Sequence, residues 1–106
     1  MDRLRRDKDF KPVLDRGQKL HGRLLIAHVL TGQTECKVGF IAGRRVGGAV
    51  LRNRARRLMR EAWRGTAGLD RVHVVFVARA GITKAKTADV AADLQAALAT
   101  LGANAR

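Results

Sequence analysis

The chain has 106 residues and a formal net charge of +13, which limits it to one domain with a single modest core and leaves no room for a second lobe. So large a positive charge exceeds what solubility requires and indicates nucleic acid or an anionic membrane surface as the partner. No apolar run reaches the ~18 residues that span a bilayer, and no apolar signal-peptide core follows Asp2. The single cysteine, Cys36, excludes a disulfide framework or a cysteine-based zinc site. We expect one cytoplasmic domain, residues 1–106.

The first predicted element is a short helix. Asp7 or Asp9 can cap it, and Gly17 ends it after about Arg16. Pro12 favours Asp9 as the cap, because a proline in the first turn of a helix removes no intrahelical hydrogen bond, whereas with a cap at Asp7 it would remove one. A basic arm precedes this helix: Arg3, Arg5 and Arg6. The apolar residues at helical spacing predict core packing: Phe10, Val13 and Leu14.

Extended chain is predicted from residue 17 to 31, with an interruption near Gly22. Residues 24–30 form a nearly continuous apolar run, which is typical of a strand covered on both faces. Residues 36–42 are a second strand, and the turn at 31–34 allows the two to pair as a hairpin. Residues 72–78 form the clearest strand, because they are β-branched and largely apolar on both faces.

Residues 49–64 are predicted to form one helix, because they contain no Pro or Gly and are rich in good helix formers. An apolar face recurs at the helical period and should be buried: Leu51, Ala55, Leu58, Met59, Ala62 and Trp63. Polar and basic residues fall on the opposite face: Asn53, Arg56, Arg57, Arg60 and Arg64.

The arginines of this helix are unusually concentrated. Neighbouring like charges at helical spacing repel by a few tenths of a kcal/mol per pair, and only Glu61 offsets them, as an expected ion-pair partner. A face that meets a polyanion gains from such an array, since each phosphate contact releases condensed counterions. The pattern therefore favours a nucleic-acid interface over an ordinary basic surface.

Residues 43–48 form a basic loop, flanked by glycines, that leads into the helix. Glycines allow backbone N–H groups to approach a ligand, and a helix N-terminus favours anions. The loop lacks the spacing of a nucleotide-binding phosphate loop. An ordinary flexible connection is the alternative interpretation.

The last predicted helix covers residues 83–101 and is capped at Thr83 or Thr87, with residues 102–106 frayed. Its buried stripe should contain Val90, Leu94, Ala97, Leu98 and Leu101. Strands and helices are mixed along the chain, which predicts a two-layer α+β or α/β sandwich.

No self-contained active site is evident in the sequence. The carboxylates form no pair in an apolar setting, serine is absent, and no cysteine–histidine partnership is placed. The three histidines have no metal-ligand spacing. If the protein takes part in catalysis, we expect another component to supply the reactive group.

The stretch 51–61 resembles the RNR signature of the bacterial ribonuclease P protein component, commonly written R-N-R-x-K-R-x-x-R. The matching residues are Arg52, Asn53, Arg54, Arg57 and Arg60, with Arg56 in place of the usual lysine. The resemblance extends over most of the chain, through a first helix that contains Phe10, the Val38-Gly39-Phe40 strand, the Arg44-Arg45 pair and the strand that ends at Ala78-Arg79.

This resemblance implies a small two-layer α/β (α+β) sandwich with a four-stranded mixed sheet and three helices. Its strand–helix–strand crossover would be left-handed, although such crossovers are usually right-handed. It implies two partners, a catalytic RNA subunit and precursor tRNA, with Mg²⁺ held mainly by the RNA and no metal or catalytic group assigned to the protein. The residues that would meet the catalytic RNA are Arg44, Arg45, Arg52, Asn53, Arg54, Arg56, Arg57 and Arg60.

The resemblance also implies a cleft that binds the single-stranded 5′ leader of precursor tRNA, lined by Phe10, Leu14 and His28. Aromatic residues are common where this sequence has Leu14 and His28, so leader stacking should be weaker, and core packing is a rival role for Leu14. A noncatalytic structural RNA-binding protein of ribosomal type is the alternative function, and an autonomous nuclease is a third.

Overall fold

A mixed β-sheet forms the centre of the computed structural model, which describes the backbone of residues 2–3, 7–64 and 69–104 and the side chains of residues 9–64 and 69–101. The helices are α1 (Asp7–Arg16), α2 (Ala49–Arg64) and α3 (Thr87–Asn104), and a 3₁₀ helix (Ala80–Lys84) precedes α3. The strands are β1 (Asp2–Arg3), β2 (Gln18–His21), β3 (Leu25–Leu30), β4 (Lys37–Ile41) and β5 (His73–Ala78). No helix in the described part of the chain is long and apolar enough to cross a membrane.

The strands lie in the order β1-β4-β5-β3-β2. Strand β5 pairs in parallel with β4 and antiparallel with β3, and β2 pairs antiparallel with β3. The four predicted strands are present, and the two-residue β1 adds a parallel edge in which Arg3 lies opposite Val38. Arg3 is therefore part of the sheet, whereas Arg5 and Arg6 of the predicted basic arm lie outside the described residues. Helix α2 makes the crossover between β4 and β5, and its hand stays a prediction.

The predicted hairpin between residues 24–30 and 36–42 is wrong. Strand β5 lies between β3 and β4 and pairs with both. Its Val74, Val75 and Phe76 are all fully buried, so this strand needs a covering layer on each face and a partner at each edge. The hairpin that does form joins β2 and β3, and it turns at the predicted interruption near Gly22.

Two hydrophobic clusters lie on opposite faces of the sheet. The larger one joins α2 and α3 to the sheet, with Phe76 stacked on Phe40 at 5.9 Å between ring centroids and tilted against Trp63 at 5.5 Å. The smaller one joins α1 to the other face, where Val13 packs with Val75. Because strand residues alternate between faces, neighbouring residues of β5 belong to different clusters, and α1 is separated from α2 by the sheet.

Helix α1 begins at Asp7 and not after Asp9, so the predicted cap is wrong and Pro12 lies inside the helix. Pro12 has no N–H to donate to the carbonyl of Lys8, and α1 tolerates this loss because its apolar face is anchored on the sheet. The predicted stop at Gly17 is confirmed. Its N–H donates to the Val13 carbonyl at 2.8 Å, and a Cβ there would collide with that oxygen.

Helix α3 begins at Thr87, and residues 80–84, part of which were predicted as its first turn, form the separate 3₁₀ helix. The predicted stripe is confirmed, with Val90, Leu94 and Ala97 buried and Leu98 and Leu101 partly buried. The helical backbone continues to Asn104 rather than fraying from residue 102, and residues 105–106 lie outside the described part.

Asp93 of α3 holds the turn between β2 and β3. Its carboxylate accepts hydrogen bonds from the backbone N–H groups of Arg23 (2.8 Å), Leu24 (2.8 Å) and Leu25 (3.3 Å). A Cβ at Gly22 would collide with the same carboxylate. This contact spans about 70 residues of sequence and was not foreseen, since an exposed-face aspartate in an alanine-rich helix gives no local signal.

We predict that Asp93→Ala lowers the free energy of unfolding by about 1.5–3 kcal/mol, because hydrogen bonds to a charged acceptor are lost and three N–H groups lose their partner. Urea unfolding followed by circular dichroism measures this change as a lower midpoint. Asp15→Ala, which removes the same charge from the exposed side of α1, is the control. Equal midpoints for the two variants would contradict the assigned role of Asp93.

Candidate nucleic-acid interface

Helix α2 has the two faces that its sequence predicts. Ala55, Leu58, Met59, Ala62 and Trp63 are buried against the sheet and α3. The opposite arc is open to solvent, with Asn53, Arg57 and Arg64 exposed and Arg56 and Arg60 half-buried. The burial of the apolar face stabilises the helix, and the arginine face lies outside the buried core.

The prediction that Leu51 is buried is wrong, because 41% of its surface is exposed. Leu51 lies in the first turn of α2, beyond the sheet, and its side chain folds over Gly47, where a Cβ would collide with it. Gly47 has a φ of 140°, a conformation that favours glycine. Val50 beside it is 81% exposed. The start of α2 therefore carries apolar surface next to the basic loop.

The arginines of α2 have no carboxylate partner among the described side chains. Among the residues whose side chains are described, none of them forms a salt bridge; the ion pair that does form joins Lys37 to Glu35 at 3.5 Å. The expected ion pairing of Glu61 is wrong, because its Oε2 instead accepts a hydrogen bond from the Thr87 hydroxyl at 3.0 Å. The charge of the arginine face is therefore available to a polyanion.

Three residues of the RNR stretch have intramolecular contacts that orient them. Arg56 donates from Nη2 to the Asn53 side-chain oxygen, which holds both side chains on the exposed arc. Arg54 donates from Nε to the Thr83 carbonyl at 3.1 Å. That bond fixes the plane of the guanidinium and leaves its two terminal nitrogens for a ligand. Arg52 is half-buried, and its Nε has no hydrogen-bond partner among the described residues.

The loop 43–48 is built from consecutive turns rather than from flexible chain. The Val46 N–H donates to the Gly43 carbonyl at 3.1 Å, and the Gly47 N–H donates to the Arg44 carbonyl at 3.1 Å. The Val46 side chain is buried in the larger cluster and anchors the loop. Arg44 and Arg45 are both exposed, so the structure presents them beside the start of α2, as predicted.

A second surface lies on the opposite face of the sheet, under α1. Phe10 and Leu14 are partly buried and pack around Val13 and Val75. His28 lies on this face of β3, between Val75 and Lys19 in the register of neighbouring strands. The three predicted cleft residues therefore share one side of the molecule, and the packing role suggested for Leu14 is confirmed and also applies to Phe10.

His28 is half-buried, and its Nδ1 is a buried atom without a hydrogen-bond partner among the described residues. Burial lowers the pKa of this imidazole below its ordinary value, and the charges of Lys19 and His21 lower it further. A neutral ring offers a flat face for stacking on a base. His28 is therefore suited to contact a base.

The same face of the sheet carries a basic pocket that sequence reasoning missed. It has a volume of about 610 Å³ and lies where the ends of β3 and β5 meet the 43–48 loop. Ile26 and Val77 form an apolar floor, and no carboxylate lines the pocket among the described residues. Three arginines border it: Arg23, Arg45 and Arg79. They come from three distant segments, so no local motif could have revealed the pocket.

In residues 9–64 and 69–101, no three His, Cys, Asp or Glu side chains converge on one point. Cys36 is half-buried, and burial raises the pKa of its thiol, with the charge of Asp70 raising it further. The guanidinium groups of this surface can bind phosphates, and its flat side chains can stack on bases.

The fold and this unneutralised arginine surface define a polyanion-binding protein of the α/β-sandwich class. The family model for ribonuclease P matches residues 1–102. The chain therefore belongs to the ribonuclease P protein family.

Individual relatives agree with this assignment. The chain is similar to the ribonuclease P protein component of Dehalococcoides mccartyi strain CBDB1, with 40% identity over 90 residues that cover 84% of this chain and 75% of that protein. For the protein component of Streptomyces avermitilis the identity is 36% over 118 residues, covering 99% and 96%. The solved RNase P protein of Staphylococcus aureus is 19% identical and superimposes with a TM-score of 0.81 over 95% of both chains, which confirms the fold.

We predict that the His28 imidazole titrates below 6.5, the ordinary value, in an NMR titration of the folded protein. The unfolded chain then binds more protons than the folded one as the pH falls below 6.5, so the free energy of unfolding should fall in that window. His28→Gln should remove part of this pH dependence of the free energy of unfolding. His73, whose pKa burial also lowers, should still contribute its own part of the pH dependence. A His28 titration at or above 6.5 would contradict the burial that we describe.

Proposed function

We propose that this chain is the protein component of a ribonuclease P holoenzyme and acts in the removal of the 5′ leader from precursor tRNA. The observation that carries the proposal is the face of α2, an array of arginines without carboxylate partners among the described residues, in a chain that belongs to this family. An exposed array of like charges is destabilising by itself and becomes favourable when phosphates replace the missing counter-charges.

The RNA subunit is proposed to bind the α2 side. Arginine suits this contact, because its planar fork donates two parallel hydrogen bonds to a phosphate and its plane can stack on bases. The turns of the 43–48 loop extend the same surface beyond the start of the helix. The proposed RNA-binding residues are Arg44, Arg45, Arg52, Asn53, Arg54, Arg56, Arg57 and Arg60.

The leader of precursor tRNA is proposed to bind the opposite face of the sheet. Phe10, Leu14 and His28 form one end of the path, and the basic pocket lies farther along β3 and β5. Arg45 lines that pocket and also belongs to the loop on the RNA side. The sheet thus separates two nucleic-acid surfaces, and Arg45 lies where they meet.

The RNA subunit is proposed to catalyse the cleavage of precursor tRNA, with Mg²⁺ held mainly by that RNA. The protein supports it by binding and positioning both RNAs, which requires cations and stacking surfaces rather than a nucleophile. A structural RNA-binding protein of ribosomal type is the second candidate, since the α2 face alone is compatible with it. The basic pocket on the other face of the sheet, with its apolar floor of Ile26 and Val77, favours the first candidate.

Cleavage of precursor tRNA, measured with the protein alone, the cognate RNA subunit alone and both together, tests the proposal. We expect no cleavage by the protein alone and stimulation of the RNA subunit at low Mg²⁺. Cleavage by the protein without RNA would establish an autonomous nuclease instead. Absence of stimulation would favour the structural RNA-binding protein.

We predict that Arg57→Ala combined with Arg60→Ala weakens binding of the RNA subunit by at least about tenfold, because each charge-assisted contact contributes about 1.5–3 kcal/mol. The slope of log affinity against log salt should become shallower by about 1–2, since two phosphate contacts are lost. Filter binding from about 50 to 200 mM salt measures both quantities.

The matched control is Lys11→Ala with Arg16→Ala, which removes two charges from exposed positions of α1, on the other side of the sheet. It should leave binding of the RNA subunit nearly unchanged. If both double variants lose the same affinity, net charge and not the α2 face governs binding.

We predict that Phe10→Ala reduces the preference for precursor over mature tRNA, because a stacked base contact contributes about 1–3 kcal/mol. Competition between the two substrates for the reconstituted holoenzyme measures the preference. Val13→Ala, one turn along the same face and fully buried, should lower stability without altering the preference. If Phe10→Ala weakens the binding of both substrates equally, the substitution has removed only a packing contact.

A further inference from the structure

The segment Ala80–Thr87, between β5 and α3, lies along the side of α2. Arg54 donates to the Thr83 carbonyl at 3.1 Å, and the Thr87 hydroxyl donates to Glu61 at 3.0 Å. Arg54 and Glu61 are seven residues apart on α2, which corresponds to two helical turns or about 10.5 Å. The two hydrogen bonds therefore hold residues 83–87 beside the arginine face along two turns of the helix.

Burial alternates along this segment. Ile82 is fully buried, Thr83, Ala85 and Thr87 are half-buried, and Lys84 and Lys86 are exposed. Ala85 packs against the larger hydrophobic cluster. The inward residues thus fix the segment against the core, and the two lysines are exposed on a segment that is hydrogen-bonded to α2 at Thr83 and Thr87.

These lysines have no carboxylate partner among the described side chains. Nearby acids are engaged elsewhere, since Glu61 accepts from Thr87 and the Asp89 carboxylate accepts from the Lys86 backbone N–H at 3.1 Å. Both acids lower the local charge without forming salt bridges with the lysines. Two further cations beside an arginine array add to its repulsion, which only a bound polyanion would reverse.

We propose that Lys84 and Lys86 form a second row of phosphate contacts, so that the RNA-docking surface consists of α2 together with the segment Ala80–Lys86. This inference rests on the proposed function and widens its surface beyond the RNR stretch. The ammonium group of lysine is a compact point charge on a flexible stem. The row therefore contributes to affinity and salt dependence, with little selectivity for sequence.

The test compares Lys84→Ala/Lys86→Ala with the wild-type chain in filter binding to the in vitro transcribed ribonuclease P RNA of the same organism. Both lysines are exposed, so the variant should fold, which circular dichroism and a urea midpoint verify. We expect severalfold weaker binding and a salt slope shallower by about 1–2. Lys84→Arg/Lys86→Arg should restore both, because it returns the charge.

The Lys11→Ala/Arg16→Ala variant is again the control for loss of two charges. A wild-type chain that does not bind this RNA would overturn the proposed function and this inference with it. If the wild-type chain binds, Arg57→Ala/Arg60→Ala weakens binding, and Lys84→Ala/Lys86→Ala retains wild-type affinity and slope, then this inference alone is overturned.

Discussion

Strand β5 has to be covered on both of its faces, and the rest of the architecture follows from that constraint. Val75 faces α1, while Val74 and Phe76 face α2 and α3. Exposing either face to water would forfeit about 25 cal/mol for each Å² of apolar surface. The sheet consequently has helices on both sides, and each side leaves its own exposed surface, which we propose binds RNA.

Folding and the proposed RNA binding draw on different residues in α2 but on the same residues in α1. The buried face of α2 stabilises the helix, and none of its arginines belongs to the buried core. Phe10 and Leu14 of α1 pack around Val13 and Val75 and are also the proposed lining of the leader cleft. Substitutions there are expected to change stability and the proposed leader contact together.

Hydrogen bonds between distant segments place the charged side chains of this protein. Asp93 ties α3 to the β2–β3 turn, which carries Arg23 to the rim of the basic pocket. Arg54 and Glu61 tie α2 to the segment that carries Lys84 and Lys86. Each contact satisfies polar groups at an otherwise irregular part of the chain, and each fixes the position of cations that a flexible loop would not hold.

Local patterns in the sequence determined helix α2 from Ala49 to Arg64 with its two faces, the β5 strand and the end of α1 at Gly17. These features are predictable because helical periodicity, strand periodicity and the preferences of glycine act within a few residues. The tertiary structure alone decided that β5 lies between β3 and β4, that Pro12 is tolerated inside α1, and that Leu51 stays exposed. It also decided that Glu61 binds Thr87 rather than an arginine, and that Arg23, Arg45 and Arg79 meet around one pocket. These features depend on which surfaces compete for burial and which distant segments meet, and neither is encoded in the spacing of neighbouring residues.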